Sequence, residues 1–590
     1  MKSLSYLNKY LRQYKWLLLG GIVFIAISDF FGVWAQDFVR EAFDTVEDSF
    51  LKEKETKTGE FFSLLTWFVL MYLLYNVIKG FFLFLQRQTI IVMSRHIEFH
   101  LKNEVYEHYQ KLTPAFYKRN NTGDLMNRIS EDVGRVRMYV GPGIMYTINL
   151  VVLFVLVIYK MISVNPELTL YVLAPLPLMA ILVYTISKKL NRESEQVQKQ
   201  QSLLSTIAQE TFSGIRIIKS YGIEERKKQD FNSASQEYKK RNIKLTTTNA
   251  WFMPAMTLLV GISTALTVLI GGYQWLEGRV SMGNIPEFVI YVNMLTWPFA
   301  SVGWVTSLVQ RAAASQERIN EFLSTQPEIK TGTEKPASLQ GKIEFKNVSF
   351  VYPDTGITAL KNVSFSIEPG QTLGVIGRTG SGKSTLSALL TRQYDDYSGE
   401  ILLDGRPITS YDTAWLRSHI GYVPQDVFLF SDTIKENILF GTQPGQVNNT
   451  DLEQAADNAA VLDNIRSFPA GFETVLGERG ITLSGGQKQR VSIARAIIRK
   501  PSLLLFDDCL SAVDTETEDT ILNNLLRIMK GHSTLLISHR VSTVKHADKI
   551  VVLDNGQIVE EGIHADLLLA KGNYHSLYVK QSIEKEEVSD

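Results

Sequence analysis

The sequence predicts an α-helical membrane domain of six spans with long cytoplasmic helical extensions, followed by a parallel α/β domain. Three observations predict it. Six apolar stretches, each long enough to cross a bilayer as a helix, fall within the first 310 residues. Lys and Arg crowd the connections on one side of these stretches and are sparse on the other. Beyond residue 342 the pattern changes to short apolar strands alternating with amphipathic helices.

The six spans are residues 16–39, 61–85, 140–163, 168–187, 252–275 and 288–308. The fourth carries Pro175 and Pro177, which a membrane helix tolerates when its neighbours satisfy the freed backbone groups. Lys2, Lys9, Arg12 and Lys15 precede the first span. Arg87, Arg95, Lys102, Lys111 and Lys118 follow the second, and Lys188, Lys189, Arg192 and Lys219 follow the fourth. These connections are therefore expected in the cytoplasm, with both termini. The chain has 590 residues with 61 Lys+Arg against 61 Asp+Glu, so there is no basic excess and no nucleic-acid partner is expected. A lone cysteine, Cys509, excludes an internal disulfide framework. The apolar run after the basic start is longer than a signal core, so no cleavable signal is expected.

The two long cytoplasmic connections are rich in Glu, Lys, Gln and Leu and low in helix breakers. A helix from Phe61 to Leu112 would measure about 78 Å, far more than a hydrocarbon core of ~30 Å. Each connection is interrupted once, at 113–124 and at 214–225, which places a turn at the far tip of each hairpin. The membrane domain is thus assigned to 1–323, a linker to 324–342, the α/β domain to 343–580 and a charged tail to 581–590.

Within the α/β domain, Val375-Ile376 runs into Gly377-Arg378-Thr379-Gly380-Ser381-Gly382-Lys383-Ser384-Thr385. This spacing fits a phosphate loop, in which glycines let backbone N–H groups wrap the phosphates, Lys383 reaches the terminal phosphates and the Ser384 hydroxyl ligates Mg²⁺. Leu503–Asp507 is an apolar strand ending in a carboxylate, the Walker B pattern, with Asp507 bonded to the Mg²⁺ shell. Between them, Leu483-Ser484-Gly485-Gly486-Gln487 opens a helix.

That last run resembles the signature of the ABC (ATP-binding cassette) family. The resemblance implies an ABC ATPase domain using ATP and Mg²⁺, in which Ser484, Gly485, Gly486 and Gln487 close over the nucleotide of a facing cassette. It further implies that Tyr352 stacks on adenine, and that Gln425 senses Mg²⁺ and contacts the membrane domain. Ser511–Asp514 is similar to the D-loop, which gives Asp514 a place at the facing nucleotide. His539 matches the switch histidine that holds the γ-phosphate and the attacking water. Catalysis would then rest on Asp508, His539 and Gln425. Phe116-Tyr117 with Gly123-Asp124-Leu125, and Gly214–Lys219, resemble the coupling segments of the exporter branch, which includes multidrug exporters and the lipid A flippase. Such a half-transporter needs a second half and sits as a multi-pass protein in a bacterial inner or plasma membrane.

One residue departs from the pattern. Exporters mostly place Glu after the Walker B Asp, and here that residue is Asp508, one methylene shorter. Two expectations stay open: a heterodimer whose partner is a paralogous chain with Glu there, or a homodimer in which Asp508 works. For the cargo, drug-like or lipid amphiphiles are expected, with the lipid A-core flippase role as the alternative. An ATP-binding regulatory subunit or ATP-gated channel is the reading of another class. Asp29, Asn149, Asn293, Thr296, Trp297 and Trp304 are candidates for the substrate pathway, because polar groups within spans usually face the bundle interior. Helix packing is the plainer role for the Asn and Trp residues. Lys79 and Lys160 lie near span ends and are expected to snorkel to the interface.

Overall fold

The computed structural model describes residues 2–50, 58–443, 445–477, 480–510 and 515–589. They form two compact units, one of residues 1–109 and 123–325, the other of residues 110–122 and 326–590.

Among the described residues, the regular structure of the first unit is helical. Six helices are long and apolar enough to cross a membrane: Lys15–Ser49, Gly59–Lys111, Thr122–Val164, Pro166–Ser213, Glu224–Leu276 and Asn284–Ser324. The second contains 53 residues, about 80 Å of helix, which is why hydropathy alone marks only part of it. Proline shapes the fourth. Its chain turns at Ala174, and Pro175 opens the next helical segment, Pro175–Ser213, where its missing N–H costs nothing. Helices two and three also carry wide turns of π type at Arg87–Ile91, Arg128–Asp132 and Tyr139–Gly143. The last of these contains Pro142, and a wide turn is one way to accommodate a residue that cannot donate to the ladder.

Charged groups fasten the less apolar parts of this unit to one another. Glu104 takes hydrogen bonds from the hydroxyls of Tyr6 and Tyr10 and an ion pair from Lys9 at 2.7 Å. Asp132, buried in its wide turn, accepts from Ser315 at 2.8 Å and from Arg318 Nε at 3.0 Å. The second hairpin is closed by Gln200 donating to the Ala234 carbonyl at 3.1 Å and by Lys244 paired with Glu193 at 2.8 Å. Its tip turns at Gly222, whose φ of +63° suits glycine.

The second unit contains ten strands: β1 Ile343–Val351, β2 Thr358–Ile367, β3 Thr372–Gly377, β4 Ser398–Leu403, β5 Arg406–Pro407, β6 Ile420–Val423, β7 Leu503–Asp507, β8 Ser533–Ser538, β9 Lys549–Asp554 and β10 Gln557–Gly562. The main sheet runs β10-β9-β3-β8-β7-β6, parallel from β9 to β6, with β10 antiparallel at its edge. A second sheet runs β2-β1-β4-β5 and is antiparallel. The parallel strands are buried on both faces, which explains their unbroken apolar runs. Leu504, Phe506 and Leu536 pack into one core with the helices around Gly485–Ile497. Leu503, Leu505 and Leu535 face the other core, shared with Phe345, Phe350 and Phe365 of the small sheet. Ala115, from the tip of the first long hairpin, is buried in that second core.

Candidate functional site at the carboxyl edge of the parallel sheet

In a parallel α/β sheet, ligands bind beyond the carboxyl ends of the strands. β3, β6, β7 and β8 end side by side, so the segments that follow them meet at one edge: Gly377–Ser384 after β3, Gln425 after β6, Asp507-Asp508 at the end of β7 and His539 after β8.

The phosphate loop is shaped by backbone that only glycine supplies without cost. Gly382 has φ +99°, and a β-carbon there would lie 2.3 Å from the Ala359 carbonyl oxygen. The helix Lys383–Leu390 starts directly after it, so its first N–H groups open onto the loop. Lys383 Nζ donates to the carbonyls of Gly377 and Arg378, each at 2.8 Å, which holds the ammonium over the loop. Burial pushes its pKa below the ordinary lysine value, opposed by the charges of Asp508 and Asp507. Ser381 Oγ is buried with no partner among the described residues, an orphan of the kind a bound phosphate satisfies.

Asp507 is buried, and both of its oxygens accept from hydroxyls of that helix: Ser384 at 2.9 Å to Oδ1 and Ser387 at 3.1 Å to Oδ2. Burial raises its pKa, only partly countered by these hydrogen bonds, and the neighbouring Asp508 adds to the rise. A hydroxyl and a carboxylate oxygen side by side are hard donors of the type Mg²⁺ accepts, and Ser384 and Asp507 would hold the ion here. The residues present therefore fit the ion. Ser387 was missed in the sequence, although it lies three positions after Ser384 and so shares its helix face.

Asp508 turns the chain out of β7 with φ +49°, in the left-handed region that Asp and Asn tolerate better than other side chains. Its backbone N–H donates to the Ile537 carbonyl at 2.9 Å. Its Oδ1 lies 2.7 Å from His539 Nδ1, which joins the two side chains across the ends of β7 and β8. The carboxylate is almost buried, whereas the His539 side chain is 45% exposed, so the ring is the part that can meet a ligand. Gln425 is exposed after Pro424.

Ser484 caps the helix Gly485–Ile497. Its Oγ accepts from the Gln487 N–H at 3.3 Å, and Gln487 Oε1 accepts from the Ser484 N–H at 3.0 Å. Gln487 is thus spent on a capping box, leaving the hydroxyl of Ser484 and the helix N-terminus as the ligand-facing groups of this run. Asp514, with Ser511–Val513, lies outside the described residues. Tyr352 packs edge-on against Phe350 and Tyr394, its hydroxyl 3.0 Å from Thr385 Oγ1. Lys118, from the first hairpin tip, lies over the Tyr352 ring at 5.3 Å. The same tip is held through Thr113, which donates to Glu328 at 2.9 Å, and by the Arg119–Glu328 pair.

In the membrane unit, two of the six pathway candidates come together. Asn149 Nδ2 reaches both oxygens of the buried Asp29, at 2.9 and 3.0 Å. The hydroxyl of Thr296 and the amide of Asn293 bond to their own helix, at Val292 and Val289. Trp304 meets Tyr146 edge-on, and Trp297 is 67% exposed. The expectation that Lys160 snorkels is corrected: it pairs with Asp37 at 2.8 Å, both side chains largely buried, because a carboxylate one helix away satisfies it better than a stretch to the interface. Lys79 likewise turns inward and lies along Gly32, where a β-carbon would come within 3.0 Å of its Nζ.

Residues 16–299 match the ABC transporter transmembrane region, and residues 360–511 match the ABC transporter ATPase family. A probable multidrug resistance ABC transporter ATP-binding/permease protein, YheI of Bacillus subtilis, is 37% identical over 82% of this chain and 83% of its own length. The chain belongs to the ABC transporter family. An ATP-dependent lipid A-core flippase of Pseudomonas fluorescens is 38% identical over 81% of this chain and 79% of that protein. A bacterial Atm1-family ABC exporter with ATP bound has the same fold, with a TM-score of 0.79 and 27% identity over 97% of this chain and 99% of that one. The molecule is accordingly an ABC exporter, a multi-pass membrane protein whose nucleotide-binding domain couples ATP hydrolysis to transport. Exporters of this arrangement act as dimers of half-transporters.

Proposed function

We propose that this half-transporter exports or flips amphipathic molecules, drug-like or lipid, across a bacterial inner or plasma membrane, with both termini in the cytoplasm. The observation that carries the ATP-driven part is the convergence of Lys383, Ser384, Asp507, Asp508 and His539 on one sheet edge. Lys383 and the loop N–H groups hold the β- and γ-phosphates, and Tyr352 supports the adenine. Ser384, Asp507 and Gln425 hold Mg²⁺, which when bound neutralises charge on the phosphates. Asp508 orients the attacking water, and His539, steadied by Asp508, faces the γ-phosphate. Ser484, the adjoining glycine N–H groups and Asp514 complete the nucleotide site of the facing half. Closure of the two cassettes is relayed through the hairpin tips at 113–124 and 214–225. The names of the relatives support both the multidrug and the lipid A-core readings of the cargo.

The partner is either a second copy or a paralogue with Glu after its Walker B Asp. The intact Asp508–His539 pair favours a competent site and hence a second copy; the shorter arm of Asp508 favours the paralogue. ATP turnover by the chain purified alone in lipid nanodiscs separates them. Turnover on a seconds timescale supports the homodimer, and ATP binding without turnover supports the paralogue. Transport is tested in inside-out vesicles. Uphill loading of an amphipathic dye only with hydrolysable ATP is expected, and equilibration of the dye without hydrolysis would refute an exporter in favour of a channel.

A further inference from the structure

The terminal helix, Asn573–Ser589, runs through the stretch that the sequence sets aside as a charged tail. At its middle, Gln581 reaches the loop that carries His539. Gln581 Oε1 accepts from the Val541 N–H at 2.8 Å, and Gln581 Nε2 donates to the His539 carbonyl at 2.7 Å. One planar amide therefore brackets Arg540 on both sides, pairing with the backbone as a neighbouring strand would. The bond to the His539 carbonyl lies exposed, whereas the Val541 N–H is partly buried and needs such a partner. The His539 carbonyl has just left β8, and the Val541 N–H opens a short helix, Val541–Val544, whose N-cap residue Arg540 supplies no side-chain cap. Val541 is buried, so water is a poor substitute. The ring of His539 is fixed separately, by Asp508.

We propose that Gln581 is a positioning residue for ATP hydrolysis, acting through the backbone of His539 while Asp508 acts through its ring. The inference rests on the reading of His539 as the residue that faces the γ-phosphate. Its chemical basis is that a hydrogen-bonded ring can only be aimed as well as the Cα that carries it, and a shift of about 1 Å costs up to about 10²-fold in rate. The ATPase domain then extends functionally past residue 580.

The test uses the full-length protein in lipid nanodiscs. Gln581→Ala is expected to lower kcat about 10-fold while KM for ATP stays within about twofold, since the phosphate loop and Tyr352 are untouched. Gln581→Glu keeps the acceptor for Val541 and loses the donor to His539, so its kcat should fall between the two. Removal of residues 584–590, which spares Gln581, should leave both constants at the parental values. His539→Ala is measured in parallel. If His539→Ala stops turnover and Gln581→Ala does not slow it, the positioning role is overturned and the switch reading stands. If His539→Ala turns over normally, it is the reading of His539 that fails. A fall in kcat joined by a rise in KM and a fall in melting temperature in Gln581→Ala, or an equal loss on trimming 584–590, would also overturn the proposal, because it would assign the effect to the helix as a whole.

Discussion

Asp507 and Asp29 are both buried carboxylates, one ending a strand of the ATPase sheet and the other inside the first membrane helix. Asp507 is met by two hydroxyls of one helix turn, Ser384 and Ser387, on the helix that follows the phosphate loop. Asp29 is met by Asn149 from a helix 120 residues away. The first also joins residues 120 and 123 positions apart, but each partner lies in a short contiguous motif, and together they serve a ligand of fixed shape. The second exists only once helices pack, and its partner is an amide that many bundles use for packing alone. Both pairings are long-range, and they differ in whether each partner sits in a run with its own recognisable spacing.

Substitutions in each region break or sharpen that contrast. The largest effect is expected for Lys383→Ala, which removes the only side-chain charge held over the phosphate loop among the contacts described. ATP turnover and dye uptake should fall by at least about 10²-fold, and normal uptake would sink the assigned site. Asp508→Asn should cost about 10²-fold in kcat if Asp508 orients water, with ATP binding retained as read by a fluorescent nucleotide analogue. Asp508→Glu sharpens the same point. The longer arm gains reach, but the backbone at φ +49° disfavours it by about 1 kcal/mol, so the net change in kcat should be within about 10-fold of the parent. In the membrane unit, Asn149→Leu leaves a buried carboxylate without its donor and should lower stability by roughly 2 kcal/mol, seen as a fall in melting temperature in nanodiscs. Asn149→Leu together with Asp29→Asn should recover much of it. A dye-uptake defect that persists in the recovered double variant would mark the pair as part of the pathway rather than packing.

The smallest effect concerns pH. Burial raises Asp507, so the native site binds its proton more tightly than the unfolded chain does. The stability that Asp507 contributes is then fully present below the ordinary aspartate value and is lost as pH rises through the raised native value. The difference between melting curves of the nucleotide-free parent and Asp507→Asn across the acid range should show this loss in the parent.

The six spans, the phosphate loop, the Walker B strand and the signature were legible because each is a contiguous run with its own period or spacing. Ser387 and Gln581 were not. Ser387 needs the helix face to be known, and Gln581 needs the terminal helix to pack beside β8, which no local pattern announces. Lys160 was misread for the same reason. Its distance from the span end was visible, and its partner Asp37, on another helix, was not. The role of Gln487 was read from its motif, whereas its side chain is committed to Ser484 by helix-capping rules that were also present in the sequence.

Each wide turn at Arg87–Ile91, Arg128–Asp132 and Tyr139–Gly143 holds more residues than an α-turn. One extra residue rotates the helix beyond it by roughly 100° against an uninterrupted count. Spans two and three are therefore not single rods with one face. The segments on the two sides of each wide turn run in different phases, like two lengths of screw thread joined out of step. Gene changes that add or remove one residue at these joints would retune which side chains of one segment face its neighbours while leaving the segment beyond the joint unchanged.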